Sequence, residues 1–203
     1  MTAELPEVEG NKTTEIPRNK ILVVCSAEIE NKVSIISSLF NTNVDSGCSI
    51  LKNLSWQNKY YKTDIDVYID DYDSLDEWTR EFQQSEYNDL REVLAGVILL
   101  FNYRSEQTFS RFLDIINSTS QNDEKFYIAC NVSSKIDAEE WESLSDNYIA
   151  HGLELINWEE SGKNAFGDKL GLERIREIID THEWTQCELD VKEQPTIGVG
   201  SLL

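Results

Sequence analysis

Four short, largely apolar runs constrain the fold more than any other feature: Ile21–Cys25, Ala95–Phe101, Phe126–Val132 and Leu153–Trp158. Runs of this length, without strict alternation, read as strands buried on both faces. Between them lie stretches with helical spacing of apolar residues. These are Val33–Phe40, then Gln107–Ser118 through Phe109, Phe112, Leu113 and Ile116, then Ala138–Tyr148 with Asp137 as its cap, and finally Leu172–His182 through Leu172, Ile175, Ile178 and Ile179. Buried strands alternating with helices predict a mainly parallel sheet with right-handed crossovers.

One segment breaks the alternation. Ile50–Trp56 and Tyr60–Asp70 read as two strands joined by a tight turn at Gln57–Lys59. In the second, Tyr61, Thr63, Ile65, Val67 and Ile69 fall on one face, while Tyr60, Lys62, Asp64, Asp66, Tyr68 and Asp70 fall on the other. Period-two alternation of this kind belongs to a hairpin toward the edge of a sheet, with one face wet. Asp71–Glu92 is acidic and aromatic, with a helical stretch LDEWTREF. The expected class is therefore α/β: the small G-protein layout, a mostly parallel six-stranded sheet with one antiparallel hairpin and helices on both faces. Residues 1–17 read as a disordered leader, 18–188 as the domain and 189–203 as a flexible tail.

The stretch Lys20–Lys32 (KILVVCSAEIENK) has the strand–turn–helix context of a phosphate-binding loop. On the G-x-x-x-x-G-K-[ST] template, Ser26 and Asn31 stand at the glycines, Lys32 at the lysine and Val33 at the Ser/Thr position. Only the lysine matches. Glycines let the backbone wrap phosphate and the hydroxyl holds Mg²⁺, so the loop lacks both functions. Glu28 and Glu30 add negative charge where phosphate would sit. The Asp-x-x-Gly position reads Asp70-Asp71-Tyr72-Asp73, and the Asn-Lys-x-Asp position reads Asn131-Val132-Ser133-Ser134. The Ser-Ala-Lys position reads Asn157-Trp158-Glu159. A working nucleotide site is not expected, and neither a cofactor nor catalysis.

The stretches NKILVV (19–24), WQNKYYKTDIDVYID (56–70), AGVILL (95–100), INW (156–158) and GDKLGLERIREIIDTHEW (167–184) resemble the fungal increased recombination centers group of the alpha- and gamma-adaptin-binding protein family. The resemblance runs over roughly residues 19–188. It implies a Rab-like domain without nucleotide motifs and a clathrin-coat accessory role. The implied partners are clathrin adaptor complex subunits (adaptins), with chaperoning of adaptor assembly and an association with Rab GTPases implied alongside. The alternatives are a divergent GTPase and a nuclear factor affecting recombination and genome stability.

Charge bears on these choices. With 18 basic and 38 acidic residues the net charge is -20. Such a chain is repelled by phosphate backbones and anionic bilayers, which argues against nucleic acid and a direct membrane anchor as partners and favours basic protein surfaces. Cys25, Cys48, Cys130 and Cys187 form no C-x-x-C pair, and His151 and His182 are the only histidines, so neither a disulfide framework nor zinc is expected. The N-terminal stretch is polar rather than a signal peptide, and no run approaches membrane-spanning length. A cytoplasmic protein, brought to trans-Golgi or endosomal membranes through partners, is the expectation.

Asp64, Asp66, Asp70, Asp71 and Asp73 read as a solvated strand face rather than a cation site. Trp56, Tyr60 and Tyr68 are the candidate partner-binding residues, because exposed aromatics are enriched at binding hot spots and interswitch aromatics of Rab proteins contact effectors. Trp184 is expected to plug the last helix onto the sheet. Leu202-Leu203 does not make a dileucine sorting motif, since the position that needs an acid is Gly198.

Overall fold

β1 (Lys20–Ser26) and β4 (Leu94–Phe101) form the middle of a mixed sheet because neither carries a polar side chain that demands water between Ile21 and Cys25 or between Leu94 and Phe101. The computed structural model describes residues 16–105, 108–118, 124–133 and 136–189. The strand order is β2-β3-β1-β4-β5-β6, with β2 (Ile50–Gln57), β3 (Tyr61–Tyr72), β5 (Phe126–Asn131) and β6 (Glu154–Asn157). β1 pairs in parallel with β3 and β4, and β4–β5 and β5–β6 are also parallel. The β2–β3 hairpin is antiparallel and lies at one edge. A seventh strand, β7 (Glu188–Leu189), adds to the six expected and pairs antiparallel with Tyr61 and Lys62 of β3. The expected leader and tail fall almost wholly outside the described residues, apart from Ile16, Pro17 and Leu189.

Helices cover both faces. On one face α2 (Leu75–Phe82), α4 (Ser110–Ser118) and α5 (Ala138–Ile149) pack over Leu22, Val24, Leu99 and Leu155. On the other, α1 (Lys32–Phe40) and α6 (Gly171–Thr181) pack over Val23, Ile65, Ile98 and Ile156. A short helix, α3 (Asn88–Val93), leads into β4. Phe101, Phe109 and Phe112 are fully buried, each stabilising the fold by about 1.5–3 kcal/mol. The caps follow from sequence. Ser74 accepts from the Glu77 amide at 3.4 Å, and Asp137 accepts from the Glu139 and Glu140 amides, each at 3.1 Å.

Trp184 is buried and its indole N–H donates to Tyr61 Oη (3.1 Å) and to the Ile179 carbonyl (3.2 Å). Its ring meets His182 edge-on at 4.8 Å, and His182 meets Phe126 at 5.4 Å. Burial pushes the imidazole of His182 down from 6.5 to about 4. The unfolded chain therefore binds a proton below pH 6.5 that the folded chain refuses until about pH 4, so stability is lost as pH falls through this window. Between pH 7 and pH 5, wild type should lose about 2 kcal/mol more than His182→Gln in urea melts. Equal losses would show that His182 is not the responsible group.

Candidate functional site

The loops at the C-terminal ends of β1, β3, β5 and β6 meet at the place where ligands bind in open parallel sheets. Their own side chains and amides occupy it. The Ala27 amide donates to the Tyr72 carbonyl at 2.9 Å, and the Ile29 amide to the Ser26 carbonyl at 3.0 Å, so both are already bonded within the chain. Ile29 is 6 % exposed and belongs to the apolar cluster beneath α1 and α6, which pulls the loop inward. Lys32 Nζ donates to Asp71, at 2.6 Å from Oδ1, at the end of β3. Asp70 accepts from the Trp78 indole N–H at 2.9 Å. Glu28 accepts from the Ser105 hydroxyl at 2.6 Å. The lysine thus ends on a carboxylate of its own chain.

Asn131 lies at the end of β5 and is fully buried. Its Oδ1 accepts from the Tyr103 amide (3.0 Å), the Ser133 amide (3.1 Å) and the Ser133 hydroxyl (2.7 Å). Its Nδ2 donates to the Ser133 carbonyl (3.1 Å) and to Asn157 Oδ1 (3.3 Å). One carboxamide ties together the loops after β4, β5 and β6. Its sequence position suggests a surviving base ligand, but the structure makes it a tie within the protein. Ser134 lies outside the described residues. Trp158 is half-buried beside the α1/α6 cluster, and Glu159 is exposed.

The two buried thiols, Cys25 and Cys130, are quiet. Burial pushes the Cys25 thiol up to about 12 and the Cys130 thiol up as well, which keeps both protonated. Among the described residues no cluster of His, Cys, Asp and Glu is placed to hold a metal ion, and no helix is long and apolar enough to cross a membrane.

The three candidate aromatics do not form one patch. Trp56 pairs with Thr63, which puts it on the buried face of β3 rather than on the face of Tyr68. Its indole N–H donates to Asp180 of α6 at 2.8 Å, and its ring meets Phe40 edge-on at 6.3 Å. The expectation of an exposed Trp56 is corrected accordingly: register and the Asp180 acceptor fold it against α1 and α6. Tyr60 is 64 % exposed in the turn between β2 and β3, with Lys59 Nζ 4.6 Å from its ring centre. Tyr68 is half-buried on the acidic face, 5.6 Å from Lys20 Nζ and opposite Ile50, which is 40 % exposed.

Increased recombination centers protein 6 of Saccharomyces cerevisiae S288c is 35% identical to the chain over 184 residues, which cover 86% of this chain and 76% of the yeast protein. The chain belongs to the increased recombination centers protein 6 family. The Kluyveromyces lactis member of that family is 33% identical over 190 residues, covering 91% of this chain and 81% of its own length. The Eremothecium gossypii member is 38% identical over 188 residues, and the chain spans only 60% of its length. The crystal structure of yeast Irc6p, described as a novel type of conserved clathrin accessory protein, superposes with a TM-score of 0.76 at 33% identity, over 86% of this chain and 98% of that one. No protein-family model matches the chain.

Proposed function

We propose that this protein is a clathrin-coat accessory protein: a Rab-like, nucleotide-free and non-catalytic scaffold that binds clathrin adaptor complex subunits in the cytoplasm. The observation that carries this is the likeness to yeast Irc6p across nearly all of that structure. Chaperoning of adaptor assembly and association with a Rab GTPase belong to the same reading. Support for the Rab-like part comes from the strand order, with the antiparallel hairpin beside β1. Support for the nucleotide-free part comes from Ile29, Lys32–Asp71 and Asn131, each engaged within the chain. A divergent GTPase and a nuclear recombination factor are disfavoured, the first by those contacts and the second by the net charge of -20.

The partner face in this reading is the wet side of the hairpin, with Ile50, Tyr60 and Tyr68 as apolar contacts among Asp64 and Asp66. Trp56 anchors the hairpin to α6 from behind. Tyr60→Ala with Tyr68→Ala should weaken binding to purified adaptor complex at least about tenfold while keeping a cooperative melting transition, lowered somewhat because Tyr68 also packs against the core. Trp56→Ala should instead lower the melting temperature, because it removes core packing and the Asp180 bond. Unchanged adaptor affinity in the double tyrosine variant would remove the hairpin from the site.

A further inference from the structure

β6 is the last strand of the sheet, and among the described residues nothing pairs with its outer edge. The Trp158 amide donates to the Asn131 carbonyl at 2.9 Å, which fixes the parity of the strand. Backbone groups of a parallel strand point alternately to its two neighbours, so those of Glu154 and Ile156 face β5 and those of Leu155 and Asn157 face outward. The Asn157 carbonyl is taken by the Glu160 amide at 3.1 Å. That leaves the N–H and C=O of Leu155 and the N–H of Asn157 along the edge.

This edge lies in a groove of about 590 Å³ between α5 and the start of α6. Its apolar lining includes Trp141, Ile149 and Leu155, and Ile149 is 51 % exposed. The Ser145 hydroxyl, also in the lining, is buried and has no hydrogen-bond partner among the described residues. One wall is the loop after β6, which is bridged internally by Asn164. That side chain accepts from the Phe166 and Asp168 amides, each at 2.9 Å, and donates to the Asp168 carboxylate at 3.0 Å. Phe166 at the loop tip is 91 % exposed. Gly171 closes the wall at φ +58, where a Cβ would meet the Glu160 carbonyl oxygen at 1.9 Å.

Charge says what fits. The cations of the groove are already paired: Arg174 with Glu154 (2.6 Å) and Glu177 (2.8 Å), and Lys169 with Glu177 (3.7 Å). Glu142, Asp146 and Glu160 line the same groove with no ion-pair partner among the described residues. Partial desolvation raises the Glu160 carboxyl, although the residue keeps an exposed surface.

We propose that the β6 groove takes an extended, basic segment of a partner protein, which adds as a strand to the Leu155–Asn157 edge. Strand addition draws affinity from main-chain bonds and specificity from alternate side chains. Here one set of side chains would contact the apolar wall at Trp141 and Ile149. Lysines or arginines of the other would meet Glu142, Asp146 and Glu160. This surface is separate from the hairpin face and does not depend on the partner being an adaptor.

The probe is a labelled, end-capped octapeptide of alternating valine and lysine, with two controls: valine alternating with glutamate, and the lysine peptide N-methylated at every second amide. Polarisation titrations of the whole protein should show saturable binding of the lysine peptide, at least about tenfold weaker binding of the glutamate peptide, and loss of binding on N-methylation. Amide shifts should concentrate at Leu155 and Asn157. Glu142→Lys with Asp146→Lys, both exposed positions, should weaken the lysine peptide about tenfold or more. Unaltered binding of the N-methylated peptide would mean attraction by overall charge alone and would overturn the proposal. So would shifts located elsewhere, or no saturable binding.

Discussion

Asn131→Ala is expected to destabilise the protein by about 3–5 kcal/mol, enough to lower the melting temperature by about 10 °C. The residue is fully buried, so water cannot substitute for its carboxamide. Truncation strands the buried Tyr103 amide and takes the bonds to Asn131 from the half-buried Ser133 amide and Asn157 side chain. Each unsatisfied buried group costs about 1–3 kcal/mol. Domains of this size hold only about 5–15 kcal/mol in total. Ser133→Ala removes a single hydroxyl bond to Asn131 and should cost about 1 kcal/mol, which makes it the matched control. Thermal and urea melts of the two variants decide the point. An Asn131→Ala variant within about 1 kcal/mol of wild type would show that the three loops hold together by other means.

Restoring the phosphate-loop consensus is expected to leave the protein unable to bind GTP. Ser26→Gly, Asn31→Gly and Val33→Ser together would supply the missing backbone freedom and the Mg²⁺ hydroxyl. Four obstacles remain. Ile29 must leave its apolar cluster for the loop to open, at about 1.5–3 kcal/mol. Lys32 must part from Asp71 before it can meet a phosphate. The base would find Asn131 already bonded on both its oxygen and its nitrogen. Each absent charged hydrogen bond forfeits about 1.5–3 kcal/mol, so two or three turn a nanomolar site into one of micromolar affinity or weaker. Glu28 and Glu30 then repel the phosphates. A calorimetric titration of this triple variant should show no binding tighter than about 0.1 mM, and low-micromolar binding would mean that the loop alone silences the site.

Much of the fold is legible in the sequence, because its strongest signals are local. The apolar runs around Val23, Ile98 and Ile128 have nowhere to go but a buried sheet, and the alternation from Tyr61 to Ile69 marks a one-sided strand. Asp137 is readable as a cap because its role needs only the next three residues. What escapes the sequence depends on distant partners. β7 is two residues without an apolar pattern, and it exists only because β3 offers an edge at Tyr61 and Lys62. The face of Trp56 follows from the pairing with Thr63, past a register shift between Leu51 and Leu54, and from an acceptor on Asp180. Asn131 matches a guanine-motif position by type, yet its burial and its five bonds come from three loops that only the sheet brings together. Ile29 sits among acids in a turn, and only the packing of α1 and α6 draws it inside. At the far edge, no local pattern marks Phe166 or the open backbone of Leu155.

The proposed nucleotide-free scaffold for clathrin adaptors is tested most directly by titrating the purified wild-type protein with adaptor complex, with and without GTP and Mg²⁺, alongside an assay for nucleotide carried through purification. The expected result is saturable adaptor binding whose affinity is the same with and without GTP, and no co-purifying nucleotide. Bound guanine nucleotide, or adaptor binding that appears only with GTP, would contradict it.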